Sequence, residues 1–406
     1  MPTMSIPARK EYLASIYKRY RYAARKGKTS ILNEFCRTAG YHRKYAIRLL
    51  NAPLVGTSPP RRQGKRETYT SEDIYYLKKI WDTLDCPCGQ RMRPMIGEML
   101  VVLERCRELT VPPAVQERLR RISAPTIDRR LAIFKRTTRG KIHGTTKPGS
   151  LLKKQIPIAL SRWDERRPGY TELDLVAHCG NSAFGDFVST LNITDLATGW
   201  TEEEAVVGRA QHRIIAGLQH IERRLPFPVK GLNPDNGSEF INWQLFTYCL
   251  RRKIEFTRSR PNRKNDNAHI EQKNWTHVRK IVGYNRVETE EEANLLNRLY
   301  RGPIRLYMNF FQPIMKLVKK KRMGGQLKRQ YDVPQTPYQR VTRHPDIPKP
   351  IQEKLTNVYQ TLNPAALKRE IEEGIRVLQW TVKRRKTQES KVTFSMIERR
   401  PVKLHF

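Results

Sequence analysis

From Pro168 onward the chain changes texture, and that change constrains the fold more than anything else in it. TELDLVAH (171–178) alternates Leu173, Leu175 and Ala177 with Glu172, Asp174 and Val176, the period of a strand. FVSTLNITD and GWTEEEAVV follow as further β-prone runs, close enough together to predict an antiparallel meander. HRIIAGLQHIERRL then spaces Ile214, Ile215, Leu218, Ile221 and Leu225 as one helical face. PVKGLN predicts a strand, SEFINWQLFTYCLRR a helix, KIEFTRS a short strand and NAHIEQKNWTHVRKIVG a final helix. Three strands, helix, strand, helix, strand, helix is an α/β layer architecture with a mixed five-stranded sheet.

The segment before it reads as helices. KTSILNEFCRTAGYHRKYAIRLL places Ser30 as a cap, Ile31, Leu32 and Phe35 on an apolar face, and a turn at Gly40. A second helix with Tyr45, Ile47, Leu49 and Leu50 among Arg43, Lys44 and Arg48 completes a helix-turn-helix pattern, which a plain helical hairpin would also give. SAPTIDRRLAIFKR offers a second such helix, with Ser123 as cap, Pro125 in the first turn, Ile127, Leu131 and Phe134 on one side and Arg129 and Arg130 on the other. The expected organisation is a helix-turn-helix domain over 1–54, a basic linker over 55–68 and a second helical DNA-binding domain over 69–136. A second basic linker covers 137–160, the α/β domain 161–345, and a basic, mainly helical C-terminal region 346–406.

Charge suggests the partner. Lys and Arg number 78 against 39 Asp and Glu, a net charge of +39 in 406 residues. Such an excess suits a polyanion, nucleic acid first, with a ribosomal-type or membrane-surface protein as the alternative. No apolar window of about twenty residues predicts a transmembrane helix, and MPTMSIPARKEYL has no secretory pattern. The expected location is the bacterial cytoplasm, associated with the nucleoid. Six scattered cysteines imply free thiols, with Cys86 and Cys88 the single close pair.

The acids define the candidate chemistry. Asp174 sits mid-strand among apolar residues, where an ionised carboxylate needs an arginine, a metal or strong donors. Asp235, in NPDNGSEF (233–240), follows another strand at the end where open α/β sheets place their sites, although an Asx turn would also use it. Glu271 lies in the second turn of the last helix, as a ligand or as a surface acid. Three carboxylates from two strands and a helix suit two hard cations, Mg²⁺ or Mn²⁺. Two such ions ~3.5–4 Å apart stabilise both oxygens of an in-line phosphoryl displacement.

Those residues carry a resemblance. PDNGSEF, RPNRKNDNAHIEQKN and the 35 residues between Asp235 and Glu271 resemble the catalytic core of retroviral integrases and of the insertion-sequence transposases that share it. The resemblance spans about Gly169 to Arg286. It implies an RNase H-like fold with Asp174, Asp235 and Glu271 as metal-ligating catalytic residues, supported by the turn Asn236, Gly237 and Ser238. Glu239 is then not a ligand but an acid at a helix start. It implies cleavage at the ends of a mobile element and attack of the freed 3′-OH on target DNA, by a homo-multimer that pairs two ends carrying terminal inverted repeats. The expected DNA contacts are Arg43, Lys44, Arg48, Arg129, Arg130, Arg263, Lys264, Lys273, Arg279 and Lys280. Leu173 stands where the family often has Trp, and Trp275 and Val278 stand where retroviral members often carry basic residues. No His/Cys zinc pattern precedes the core, so the helix-turn-helix front favours the transposase branch. A silent DNA-binding regulator or a structure-selective nuclease would use the same scaffold.

Overall fold

The computed structural model describes residues 4–52, 68–134, 166–234, 237, 239–258, 268–323 and 326–398. Two compact units divide the chain, Met1–Thr70 and Ser71–Phe406.

The first unit is three helices, α1 (Ile6–Tyr22), α2 (Arg25–Ala39) and α3 (Arg43–Asn51). Ile16, Tyr20, Ile31, Leu32, Phe35, Ala39, Ala46 and Leu50 make its core. Gly40 ends α2 in the left-handed region at φ 70°, which a side chain would resist. Ser30 is not a cap, because α2 begins five residues earlier. Tyr45 and Ile47 are exposed; Ala46 and Leu50 fill the inner face of α3.

The second unit opens with α4 (Ser71–Thr83), α5 (Gly89–Met92), α6 (Ile96–Arg105), α7 (Pro113–Arg121) and α8 (Ala124–Leu131). Asp73, in the first turn of α4, is fully buried and accepts from Arg118 Nε at 2.9 and 3.1 Å. Ser123 caps α8 through Thr126 N, and Pro125 lies in its first turn. Strands β1 (Tyr170–Ala177), β2 (Val188–Asp195) and β3 (Thr201–Val207) form the expected meander. After α9 (Gln211–Glu222) come β4 (Gly231–Pro234), α10 (Trp243–Arg252) and β5 (Glu255–Phe256). The sheet order is β3-β2-β1-β4-β5, with β4 parallel to β1 and β5 parallel to β4. The architecture is therefore α/β with a mixed five-stranded sheet.

Both faces of the sheet are covered. Leu173, Leu191, Ile193 and Leu232 pack with Ile214, Leu218 and Leu245 from α9 and α10. The opposite face meets α11 (Ala268–Lys273), a continuous π-helical stretch Asn274–Arg279, and α12 (Lys280–Val282). Next come α13 (Glu290–Leu299), a second π-helical stretch Tyr300–Ile304 that kinks at Gly302, and α14 (Arg305–Phe311). The basic run Lys319–Arg322 belongs to β6 (Leu317–Met323), which pairs with β7 (Gln326–Tyr331) as a hairpin. Finally α15 (Pro337–Thr342), α16 (Lys349–Thr361) and α17 (Pro364–Glu398) return to the helical block. Glu98 of α6 accepts from Gln339 Nε2 at 2.6 Å and from the Tyr359 hydroxyl, and Arg105 Nη2 donates to Leu362 O at 3.0 Å.

Candidate functional site

Sheet register sets the site. Asp174 stands directly opposite Asn192, and Asn192 opposite Glu203. Directly opposed residues project from the same face, so these three form a polar row across β1, β2 and β3. The helix from Ala268 to Val282 lies over that row. Asn274 Nδ2 donates to Asp174 Oδ2, and Asn274 Oδ1 accepts from Asn192 Nδ2 at 2.8 Å. The other Asp174 oxygen accepts from Leu175 N at 2.8 Å. Glu172, two residues earlier and buried, accepts from Ile270 N at 2.8 Å near the start of α11. An acid there meets N–H groups that have no partner inside the helix and the positive end of its dipole.

Position 271 lies on α11 one turn before Asn274, and the Glu271 side chain lies outside the description. Strand β4 ends at Pro234, opposite Leu173, so the chain enters 235 beside the residue next to Asp174. Asp235, Asn236, Ser238, Arg263 and Lys264 lie outside the described residues. Gly237 O accepts from Phe240 N and Ile241 N at 3.1 and 3.0 Å. Helix α10 does not begin at Glu239 but at Trp243, with Asn242 Oδ1 accepting from Leu245 N at 2.9 Å. Glu239 therefore stands in the turn before the cap.

The rest of the row is a chain of titratable groups. Glu203 Oε1 meets His277 Nδ1 at 2.8 Å, and His277 Nε2 meets Lys273 Nζ at 3.1 Å. All three are at most 6% exposed. Burial pushes the Glu203 carboxyl up to about 7, while nearby Lys273 opposes that shift. Burial pulls the Lys273 ammonium down to about 7, with Glu203 opposing and Arg91 and Arg340 adding repulsion. Burial also holds His277 well below its ordinary value. On the other face, Glu202 and Glu204 are buried and paired. Arg224 reaches both at 3.0 Å, Arg305 bonds Glu202 at 2.6 Å, and Arg301 bonds Glu204. Reading GWTEEEAVV only as β-prone left these three glutamates without a role. The clue available in the sequence was an acidic run at strand period, whose alternate members must face opposite layers.

The cationic residues separate by environment. Arg43, Lys44 and Arg48 lie on the exposed face of α3, with Arg43 Nη1 donating to Asn33 Oδ1 and Arg48 stacked 4.9 Å from the Tyr45 ring centre. Arg129 is exposed and Arg130 half-buried on α8. Lys273, expected among the DNA contacts, is buried with its ammonium on His277. Arg279 donates to Ala177 O at 2.8 Å, and Lys280 pairs with Asp85. In the KRRK run of α17, Arg385 turns inward to Glu288 and Glu292.

Among the candidate ligands the side chain of Asp174 is described, and its carboxylate oxygens, held on a strand by two neutral N–H donors, are the donor type a hard divalent cation takes. Among the described residues no group of three His, Cys, Asp or Glu side chains forms a metal centre. Cys86 and Cys88 are free and exposed. No helix among the described residues is long and apolar enough to cross a membrane.

No protein-family model matches the chain. The catalytic core domain of BIV integrase is similar over 42% of this chain and 91% of its own, at 17% identity and a TM-score of 0.27, too low to define a shared fold. The uncharacterized protein y4rM of Sinorhizobium fredii is 38% identical over 338 residues, covering 83% of this chain and 96% of its own length. An alignment that spans nearly all of one protein and most of the other at that identity places this chain in the same family as y4rM.

Proposed function

We propose that the protein is a DNA transposase of the integrase type, with an RNase H-like core that cuts and joins DNA strands. The observation that carries this reading is the bond from Asn274 to Asp174. It seats the helix bearing position 271 directly over the strand bearing Asp174, beside the end of β4 that leads into Asp235. Motif and topology both point to the middle of the sheet, where β4 ends beside β1. The strand order, an antiparallel meander followed by two parallel strands, supports an RNase H-like core.

In this reading Asp174, Asp235 and Glu271 hold two Mg²⁺ or Mn²⁺ ions, and Asn236, Gly237 and Ser238 shape the turn. The ions, when bound, supply the Lewis acidity that displacement at a phosphodiester needs. The chain's own residues do the positioning. Asn274 orients the Asp174 carboxylate, Asn192 orients Asn274, and Glu172 seats the helix start. The first unit, with its Gly40 turn and the outward Arg43, Lys44 and Arg48, serves as a helix-turn-helix reader of the terminal inverted repeats. Arg129, Arg130, Arg263 and Lys264 contact phosphates, and a homo-multimer holds paired ends against target DNA.

The test is incubation of the full chain with Mg²⁺ and labelled DNA carrying the ends of the mobile element that encodes it. Cleavage followed by joined products is expected. Cleavage without joining would assign a nuclease, and binding alone a regulator.

A further inference from the structure

We propose that a cavity behind the helix of Asn274 binds a phosphate monoester carrying a flat ring, the class to which nucleoside monophosphates belong. The cavity holds about 340 Å³, within the roughly 300–1,000 Å³ range of small-molecule sites. Residues of the segments 85–91, 272–280 and 308–315 line it.

Its polar end is cationic and incompletely satisfied. Lys273 lines the cavity, is 6% exposed, and makes its one hydrogen bond among the described residues to His277. An ammonium has three donors, so two remain for a guest. Arg91 lines the same cavity and, among the described residues, its side chain makes no ion pair or hydrogen bond; its charge repels Lys273. Two cations converging on one space, one of them desolvated and with the buried Glu203 nearby, are costly without a further anion. The remaining lining charges, Lys280 and Asp85, neutralise each other. Arginine with lysine is the pair of side chains best suited to a phosphate.

The other end is apolar and polarisable. Met308, Ile314, Met315, Cys86 and Cys88 also line the cavity, and thioether sulfur packs well against aromatic ring edges. The rim is held in an uncommon conformation, with Asp85 and Cys86 both at φ 60°. Trp81 Nε1 donates to Pro87 O at 2.8 Å and fastens that rim. Strain kept in place by its surroundings tends to mark a binding feature.

The site is independent of the proposed strand chemistry, so its failure would leave that reading standing. The test is calorimetric titration of the full chain with adenosine monophosphate, inorganic phosphate and adenosine, repeated on Arg91→Ala and Thr276→Trp. Saturable binding of the monophosphate is expected, with each half alone weaker by at least about tenfold, as for loss of one charge-assisted hydrogen bond. Arg91→Ala should lose a similar factor, and Thr276→Trp, which fills the cavity from its helical wall, should abolish binding. Competition with a short oligonucleotide identifies the source: displacement by a phosphorylated 5′ end but not a hydroxyl end assigns the guest to a DNA terminus, and no displacement by either assigns a free nucleotide. Absence of saturable binding would overturn the proposal. So would binding that both variants retain, since that would be adsorption to a basic surface.

Discussion

At the scale of single residues, the neutral amide of Asn274 is the most informative group. It touches Asp174 and Asn192 at once, so removing it frees the carboxylate without removing any charge. Replacing Asn274 with Ala should lower metal-dependent activity about 10–100-fold, the range for groups that orient a metal ligand, and leave the melting temperature nearly unchanged. Equal loss of stability and activity would make Asn274 a packing residue instead. Glu203 gives a pH prediction. Its folded pKa is raised from 4.5 to about 7 by burial. A raised carboxyl pKa means the folded state holds its proton longer than the unfolded chain does. That stability is present below pH 4.5 and is lost as pH rises towards about 7. Glu203→Gln should therefore gain stability relative to the parent across that window, read from melting temperature against pH. A parallel pair of curves would contradict the assignment.

At the scale of secondary-structure elements, helix α17 is the tie between the sheet and the helical block. A Cβ on Gly374 would come within 2.4 Å of Leu299 Cδ2 on α13. Gly374→Leu should thus cost about 1–3 kcal/mol by overpacking, measured by denaturant unfolding, while Gly97→Ala, whose Cβ would meet the end of the flexible Arg120 side chain, provides the control. The strands were legible because β-branched and apolar residues recur at period two, and helix α9 because its apolar residues recur at helical spacing. Three things were not. The Lys319–Arg322 hairpin lacks an apolar pattern, since β6 and β7 pair mainly with each other. The burial of Glu202, Glu203 and Glu204 depends on arginines and a histidine from distant segments. The facing of α3, with Tyr45 outward and Ala46 inward, depends on how α1 and α2 close around it. Within the candidate site, the sequence pointed to Asp174 and, by spacing, to positions 235 and 271. Asn274, Asn192 and Glu172 needed the register of the sheet.

At the scale of the whole molecule, the excess of cations remains after every acid is matched. Buried Glu202, Glu204 and Glu292 take up arginines, yet 78 basic against 39 acidic residues leaves +39. Binding to DNA should therefore fall linearly in log K with log salt, with a slope near −0.9 for each phosphate neutralised. A flat titration would undo the link between charge and partner.

The central claim is that Asp174, Asp235 and Glu271 act as one unit, and the direct measurement is the strand-cleavage rate of Asp174→Asn, Asp235→Asn, Glu271→Gln and the triple variant in Mg²⁺. Each single substitution should reduce the rate to that of the triple variant, the non-additivity expected of groups that work together. Parental rates in any one of the three would contradict it.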